Sequence, residues 1–179
     1  GPLTNSRDME NGVIFKNTKL DLISNKSIPT SLRDISGFRF AVKNSAATVS
    51  EFTVFSAHLK ASTGTSNENR RWEEVKQLQL YISQQDKDFR YILAGDLNLY
   101  SPNEQAYKLL VDSMYVDLED PIGGWVRDDN SNVLKFTQST RTDQIGDGGS
   151  TGGLDDRFDF ILFSDHFTKT DPNLKFLEN

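Results

Sequence analysis

The sequence predicts an α/β domain built in layers. Three observations carry this. Residues 38–42 and 51–56 alternate apolar and polar side chains, as an antiparallel strand pair does. Residues 67–85 place Trp72, Val75, Leu78 and Ile82 at helical spacing. Then Tyr91-Ile92-Leu93-Ala94 runs as an apolar strand into Gly95-Asp96-Leu97-Asn98, and a second helical stretch follows. Strand, helix, strand, helix is the order of a layered α/β domain.

Taken along the chain, residues 11–16 and 20–24 read as short strands in a hairpin-like arrangement about Asn17-Thr18. Residues 44–50 form the turn between the first confident strand pair. On the long helix, Asn69, Arg70, Arg71, Glu73, Glu74 and Lys76 make the wet face. Tyr91 to Ala94 reads as a strand buried on both faces. Ser101 is the expected N-cap, with Pro102 at the first helical position, of a helix over 103–113. The stretch 123–153 is poor in apolar residues and holds one strand-like segment, 133–138. Its glycines Gly146, Gly148, Gly149, Gly152 and Gly153 read as a surface loop, since no Lys-Ser/Thr and no helix signal follow as in a phosphate-cradling loop. An alternating strand over 157–163 closes the pattern.

The totals bound the function. The chain has 179 residues, 36% hydrophobic and 26% charged, enough apolar content for one core. It has no Cys, which excludes a disulfide framework, a thiolate zinc site and a cysteine nucleophile. The apolar runs fall far short of the ~20 residues of a spanning helix, so stable membrane insertion is not expected, and no signal peptide is visible. The compartment is left open. A net charge of -6 rules out polyanion binding by bulk charge and suits a site that collects divalent cations.

Three strands end on, or contain, polar groups that a core rejects: His58 after 52–57, Asp96 and Asn98 after 91–94, and Asp159 between Phe158 and Phe160. Taken singly, each has an ordinary explanation: a hydrogen-bonded structural His, a turn, or an edge ion pair of Asp159 with Arg157. Taken together, they point to a site where strand ends meet loops.

The segments "SAHLKAS", "YILAGDLN" and "RFDFILFS" resemble, in order and spacing, motifs of the endonuclease/exonuclease/phosphatase superfamily, the deoxyribonuclease I-like fold. "SLRDISGFRFAV" is similar to the segment that supplies a phosphate-contacting Arg there. The resemblance implies a layered sandwich of two mostly antiparallel sheets flanked by helices, of which residues 1–179 supply the central and later portion as a single domain. It implies hydrolysis of a phosphodiester, in nucleic acid or in a lipid or sugar-phosphate headgroup, with Mg²⁺ or else Mn²⁺ or Ca²⁺. It implies that Asp96 binds metal or orients water, that Asn98 donates to the scissile phosphate, and that His58 bonds a phosphate oxygen or shares the proton work. Asp159 would hold a second His in one tautomer, and Arg33 would contact phosphate. Oxygen ligands suit a hard cation, and fixed donors suit an anionic transition state.

Ser164-Asp165-His166 looks like the family's terminal Ser-Asp-His motif but follows Asp159 too closely, and the metal-binding Glu expected upstream is not assigned to Glu10. The chain alone is therefore expected to be inactive, and its uncovered sheet to drive self-association. A binding module of the same fold without turnover is the alternative. For substrate contact, Lys60, Arg70, Arg71 and Lys76 near Trp72 form a candidate basic patch, or else a solvated helix face, and Ile122-Gly123-Gly124-Trp125 a candidate lipid-touching loop.

Overall fold

A computed structural model describes residues 11–43, 51–114, 116–147 and 150–169. The turn expected over 44–50, Glu10, and Gly148 and Gly149 lie outside the described residues. The strands are β1 (Leu20–Ile28), β2 (Ile35–Val42), β3 (Glu51–His58), β4 (Tyr91–Asp96), β5 (Leu118–Glu119) and β6 (Asp159–Ser164). Helix α1 (Thr65–Ile82) joins β3 to β4, α2 (Gln105–Val111) follows β4, and a short α3 (His166–Lys169) follows β6.

The described residues form one six-stranded sheet in the order β1-β2-β3-β4-β6-β5. β3 and β4 are parallel and the other four pairings antiparallel. β3 and β4 are consecutive strands joined through α1, a crossover long enough to bring the chain back parallel to itself. This is the α/β class and the mostly antiparallel sheet that the sequence predicts.

Alternation sorts the faces. Phe55 and Ala57 of β3, Tyr91 and Leu93 of β4, and Phe160 and Leu162 of β6 point to one side and are buried. There they meet Val75, Leu78 and Ile82 of α1 and Ala106 and Leu110 of α2. Each such large side chain contributes roughly 1.5–3 kcal/mol by leaving water. The opposite face carries Val54, Ser56 and His58, Ile92, Ala94 and Asp96, and Asp159 and Ile161. Toward one end it is covered by a line of rings: Phe15 to Phe40, Phe40 to Phe52, Phe52 to Phe167 and Phe167 to Phe163, with centroids 5.0, 5.7, 6.5 and 6.2 Å apart. Toward the other it is open, and Ile161 is 64% exposed. So β4 is not buried on both faces: Tyr91 and Leu93 are buried toward the helices, while Ile92 and Ala94 are half-buried on the open face.

Several local expectations are corrected. Residues 11–16 have no regular structure, and β1 begins at Leu20 to pair with β2 instead of forming a hairpin about Asn17-Thr18. The second helix starts later than expected: Glu104, not Ser101, is its N-cap, and Ser101 closes a turn by accepting the N–H of Asn103 on Oγ and of Glu104 on its carbonyl. The strand-like stretch 133–138 is no strand: 133–135 end a 3-10 helix, Asn130–Lys135, started by Asp129, whose side chain accepts the N–H of Ser131, and 136–138 have no regular structure. Arg71 and Glu74 of α1 are 0% and 1% exposed and belong to the buried face, not the wet one.

Gly95 marks the tightest approach in the sheet. Its φ is +140°, and a Cβ there would stand 2.0 Å from the carbonyl oxygen of Ala57 on β3. Gly64, before α1, has φ +97° with open space around it. Gly64→Ala is expected to cost about 1–3 kcal/mol from strained backbone alone. Gly95→Ala adds a backbone collision and should lower the unfolding free energy by about 4 kcal/mol or more. Urea denaturation of both variants checks this, and equal losses would show that the approach of β4 to β3 is not a constraint.

Candidate active site

The strand register brings the sequence candidates together. His58 pairs with Asp96 across the parallel β3–β4 ladder, and Asp96 pairs with Asp159 across the antiparallel β4–β6 ladder. Partners directly across a ladder project to the same face. An imidazole and two carboxylates thus stand in one row across three adjacent strands, on the face away from the helices and at its open end. His58 Nε2 is 3.7 Å from Asp96 Oδ2, with the two side chains 23% and 37% exposed.

The turn after β4 is built from the motif's own residues. Gly95 lets the chain pass over Ala57. Asp96 Oδ1 then accepts the N–H of Asn98 at 3.0 Å, a side-chain turn typical of Asp. Asn98 sits at φ 49°, in the left-handed region that Asn tolerates better than most residues. Its Nδ2 donates to the carbonyl of Leu59 at 3.2 Å. That same carbonyl, with that of His58, accepts from Nη1 of Arg33 at 3.1 and 3.2 Å. Arg33 therefore lies beneath the chain carrying His58, and Asn98 ties the turn after β4 to the turn after β3. On the other flank, Thr137 Oγ1 accepts the N–H groups of Phe158 and Asp159 at 3.0 and 2.8 Å and holds the start of β6. The rings of Tyr100 and Phe158 meet edge-on at 4.9 Å beside it.

The electrostatics single out Asp96. Burial pushes its carboxyl above the ordinary 3.8, and Asp159 adds to the rise. The N–H of Asn98, the imidazole of His58 and the guanidinium of Arg33 pull the other way and do not cancel it. A half-exposed carboxylate whose charge is under-compensated fits a hard divalent cation, which takes one or two protein carboxylates and fills its shell with water and phosphate oxygens. Among the described residues, no group of three or more His, Cys, Asp or Glu comes together as a metal site. The row itself presents two carboxylates, Asp96 and Asp159.

Other candidates lie elsewhere. Asp165 and His166 follow the far end of β6, about 17 Å along the strand from Asp159. Ser164 is occupied there, accepting the N–H of Tyr91 on Oγ at 3.2 Å. The tripeptide is thus no part of the His58–Asp96–Asp159 row. Arg157 does not pair with Asp159: it is 2% exposed and grips Asp120 with both Nη atoms at 2.8 and 2.9 Å. In the proposed lipid-touching loop Trp125 is 2% exposed, its Nε1 donating to Asp156, so of the two large apolar side chains there Ile122 alone is presented to solvent. The basic patch loses Arg71 to the interior, and Lys76 stands over the Trp72 ring at 4.2 Å and pairs with Glu73. Sequence reasoning missed Thr137, read as a strand residue, and the buried pair Arg71 and Glu74. For the pair a signal exists: 71, 74, 75, 78 and 82 form one helical stripe with Val75, Leu78 and Ile82.

No protein-family model matches the sequence. No curated protein matches it either. Solved structures do match. The human Nocturnin catalytic domain with bound sulfate anion superposes with a TM-score of 0.58 at 21% identity, covering 85% of this chain and 51% of its own. A mannosyl-6-phosphatase from Bacteroides thetaiotaomicron gives 0.53 at 18%, covering 84% and 55%. An endonuclease/exonuclease/phosphatase from Bacteroides vulgatus gives 0.54 at 14%, covering 84% and 56%. The chain has the endonuclease/exonuclease/phosphatase fold and spans about half the length of these proteins.

The raised carboxyl of Asp96 makes a prediction about stability. A carboxyl that keeps its proton longer in the folded chain than in the unfolded one costs stability as pH rises from about 3.8 through the raised folded value. Asp96→Asn keeps an acceptor for the N–H of Asn98 and removes the charge. It is expected to melt above the parent at pH 7, with the gap closing as pH falls through the raised folded value and gone below about 3.8. Scanning calorimetry at both pH values checks this; a variant no more stable than the parent at pH 7 contradicts it.

Proposed function

We propose that the chain carries the strand-borne part of a divalent-metal-dependent phosphoesterase site acting on phosphodiesters. The observation that supports this most is the single register row His58–Asp96–Asp159 on the open sheet face, with Arg33 and Asn98 fastened beneath it. Sulfate is a tetrahedral anion like phosphate, and the neighbours named above include one crystallised with sulfate and one named a phosphatase.

In this reading Asp96 holds Mg²⁺, or else Mn²⁺ or Ca²⁺, which when bound neutralises charge on the phosphoryl oxygens. His58, 3.7 Å from that carboxylate, donates to a phosphate oxygen or carries a proton at Nε2. Asn98 spends one Nδ2 proton on Leu59 and offers the other to the phosphate. Arg33 supplies positive charge beneath the row, and a charge-assisted bond to phosphate is the role proposed for it. Asp159, exposed at the edge of the row, is placed to hold an imidazole in one tautomer. Neither histidine of this chain stands directly across a ladder from it: His58 lies two strands away and His166 at the far end of β6. The substrate class is a phosphodiester, in nucleic acid or in a lipid or sugar-phosphate headgroup.

Turnover of a chromogenic phosphodiester with Mg²⁺, measured on the longest natural chain that contains these residues, tests the assignment. Asp96→Ala is expected to lower the rate about 100-fold or more. An alanine variant as fast as the parent would remove Asp96 from the mechanism, and turnover confined to monoesters would correct the substrate class.

A further inference from the structure

One interaction behind the row is absorbed by no role assigned above. Arg71, on α1, is 0% exposed. It donates from Nε and Nη2 to the two oxygens of Glu104 at 2.7 and 2.9 Å, and from Nη1 to the carbonyls of Lys60 and Ser62 at 2.8 and 3.0 Å. Glu104 Oε1 also accepts the N–H of Tyr100 at 2.8 Å. The hydroxyl of Tyr100 accepts the N–H of Ser62 at 3.0 Å, and its ring lies 5.2 Å from the guanidinium. Glu74, one turn along α1, accepts the N–H of Lys60 at 2.9 Å.

These bonds begin where the sheet stops. The parallel ladder ends with the N–H of Leu59 donating to the carbonyl of Asp96. Beyond it the two chains part, and their backbone groups need partners. Helix side chains supply them. Lys60 is two residues past His58, and Tyr100 is two past Asn98, so one guanidinium grips the roots of both site turns from behind. A buried ion pair of this kind adds little net stability compared with apolar packing. What it does add is a fixed fork geometry, which Lys cannot reproduce.

We propose that Arg71 is a positioning residue: through Glu104, Lys60, Ser62 and Tyr100 it sets how His58 and Asn98 stand relative to Asp96. The proposal rests on the site reading above. Its test separates the two. The first arm is metal-free NMR of the 179-residue chain, which has two histidines. Neither His58 nor the Asn98 side chain has a hydrogen bond to Arg71 in the structure. In Arg71→Lys the His58 ring signals and the Asn98 side-chain amide signals are expected to move and broaden. Those of His166, past the far end of β6, stay as in the parent. Glu104→Gln serves in the same way if Arg71→Lys does not fold. A folded variant whose His58 and Asn98 signals superimpose on the parent's overturns the proposal. The second arm adds Mn²⁺. It should broaden His58 and spare His166 in the parent, and the concentration for half-broadening should rise about 10-fold or more in the variant, the scale seen for outer-shell partners of metal ligands. An unchanged Mn²⁺ concentration also counts against the proposal. If Mn²⁺ leaves His58 of the parent untouched, the metal reading fails while the metal-free comparison still decides the role of Arg71.

Discussion

The candidate site depends on how closely β4 lies against β3. That contact is a backbone one, with Gly95 passing over the carbonyl of Ala57, and no side chain fits between. Because the two strands are parallel and in register, their last residues, His58 and Asp96, come out level. The antiparallel β6 then adds Asp159 to the same row. A slip of one residue in either ladder would send a member of the row to the helix-covered face, where a charged group is costly. The apolar alternation that fills the core with Phe55, Leu93 and Phe160 is therefore also what holds the polar row in place.

The row is not built for stability. Asp96 is kept partly desolvated beside a second carboxylate, and the donors around it do not restore its ordinary acidity. The groups that fasten the surrounding turns are, by contrast, well matched. Asn98 and Arg33 share the Leu59 carbonyl, Thr137 takes two N–H groups, and Arg71 and Glu104 meet as a bidentate pair. Under-compensated charge sits at Asp96 while these bonds fasten the turns around it, an arrangement common where a site must be held ready for a ligand.

The parts legible in the sequence were those with a strong local period or a short motif. Alternation marked β2, β3 and β6, and helical spacing marked α1. Gly-Asp-x-Asn marked the turn, since its Gly, Asp and Asn each do something that other residues do poorly. The misreadings have physical causes. Arg71 and Glu74 carry charge, so polarity placed them outside, although their helical phase matched Val75 and Leu78. Trp125 reads as part of an exposed loop with Ile122, yet its ring packs between Tyr107 and Phe160, with centroids 5.5 and 5.3 Å away. Residues 133–138 have strand-like composition, but 133–135 end a 3-10 helix that Asp129 caps upstream, and 136–138 follow it without regular structure. Ser164-Asp165-His166 has the letters of a motif, but a strand's length separates it from the row. Long-range partners such as Asp120 for Arg157, 37 residues apart, leave no local trace.

The surface loop over 139–153 is closed at its base. The N–H of Leu154 donates to the carbonyl of Ser139, those of Gly152 and Gly153 to that of Arg141, and the hydroxyl of Ser139 to the carbonyl of Ser150. Residues 142–147 beyond this clasp are exposed. Lengthening a loop whose ends are already pinned costs little entropy, roughly 0.6 kcal/mol per doubling. The tip is therefore a natural port for grafting: a tag spliced into 142–147 enters beyond the bonds that close the loop and outside the strands that align the row.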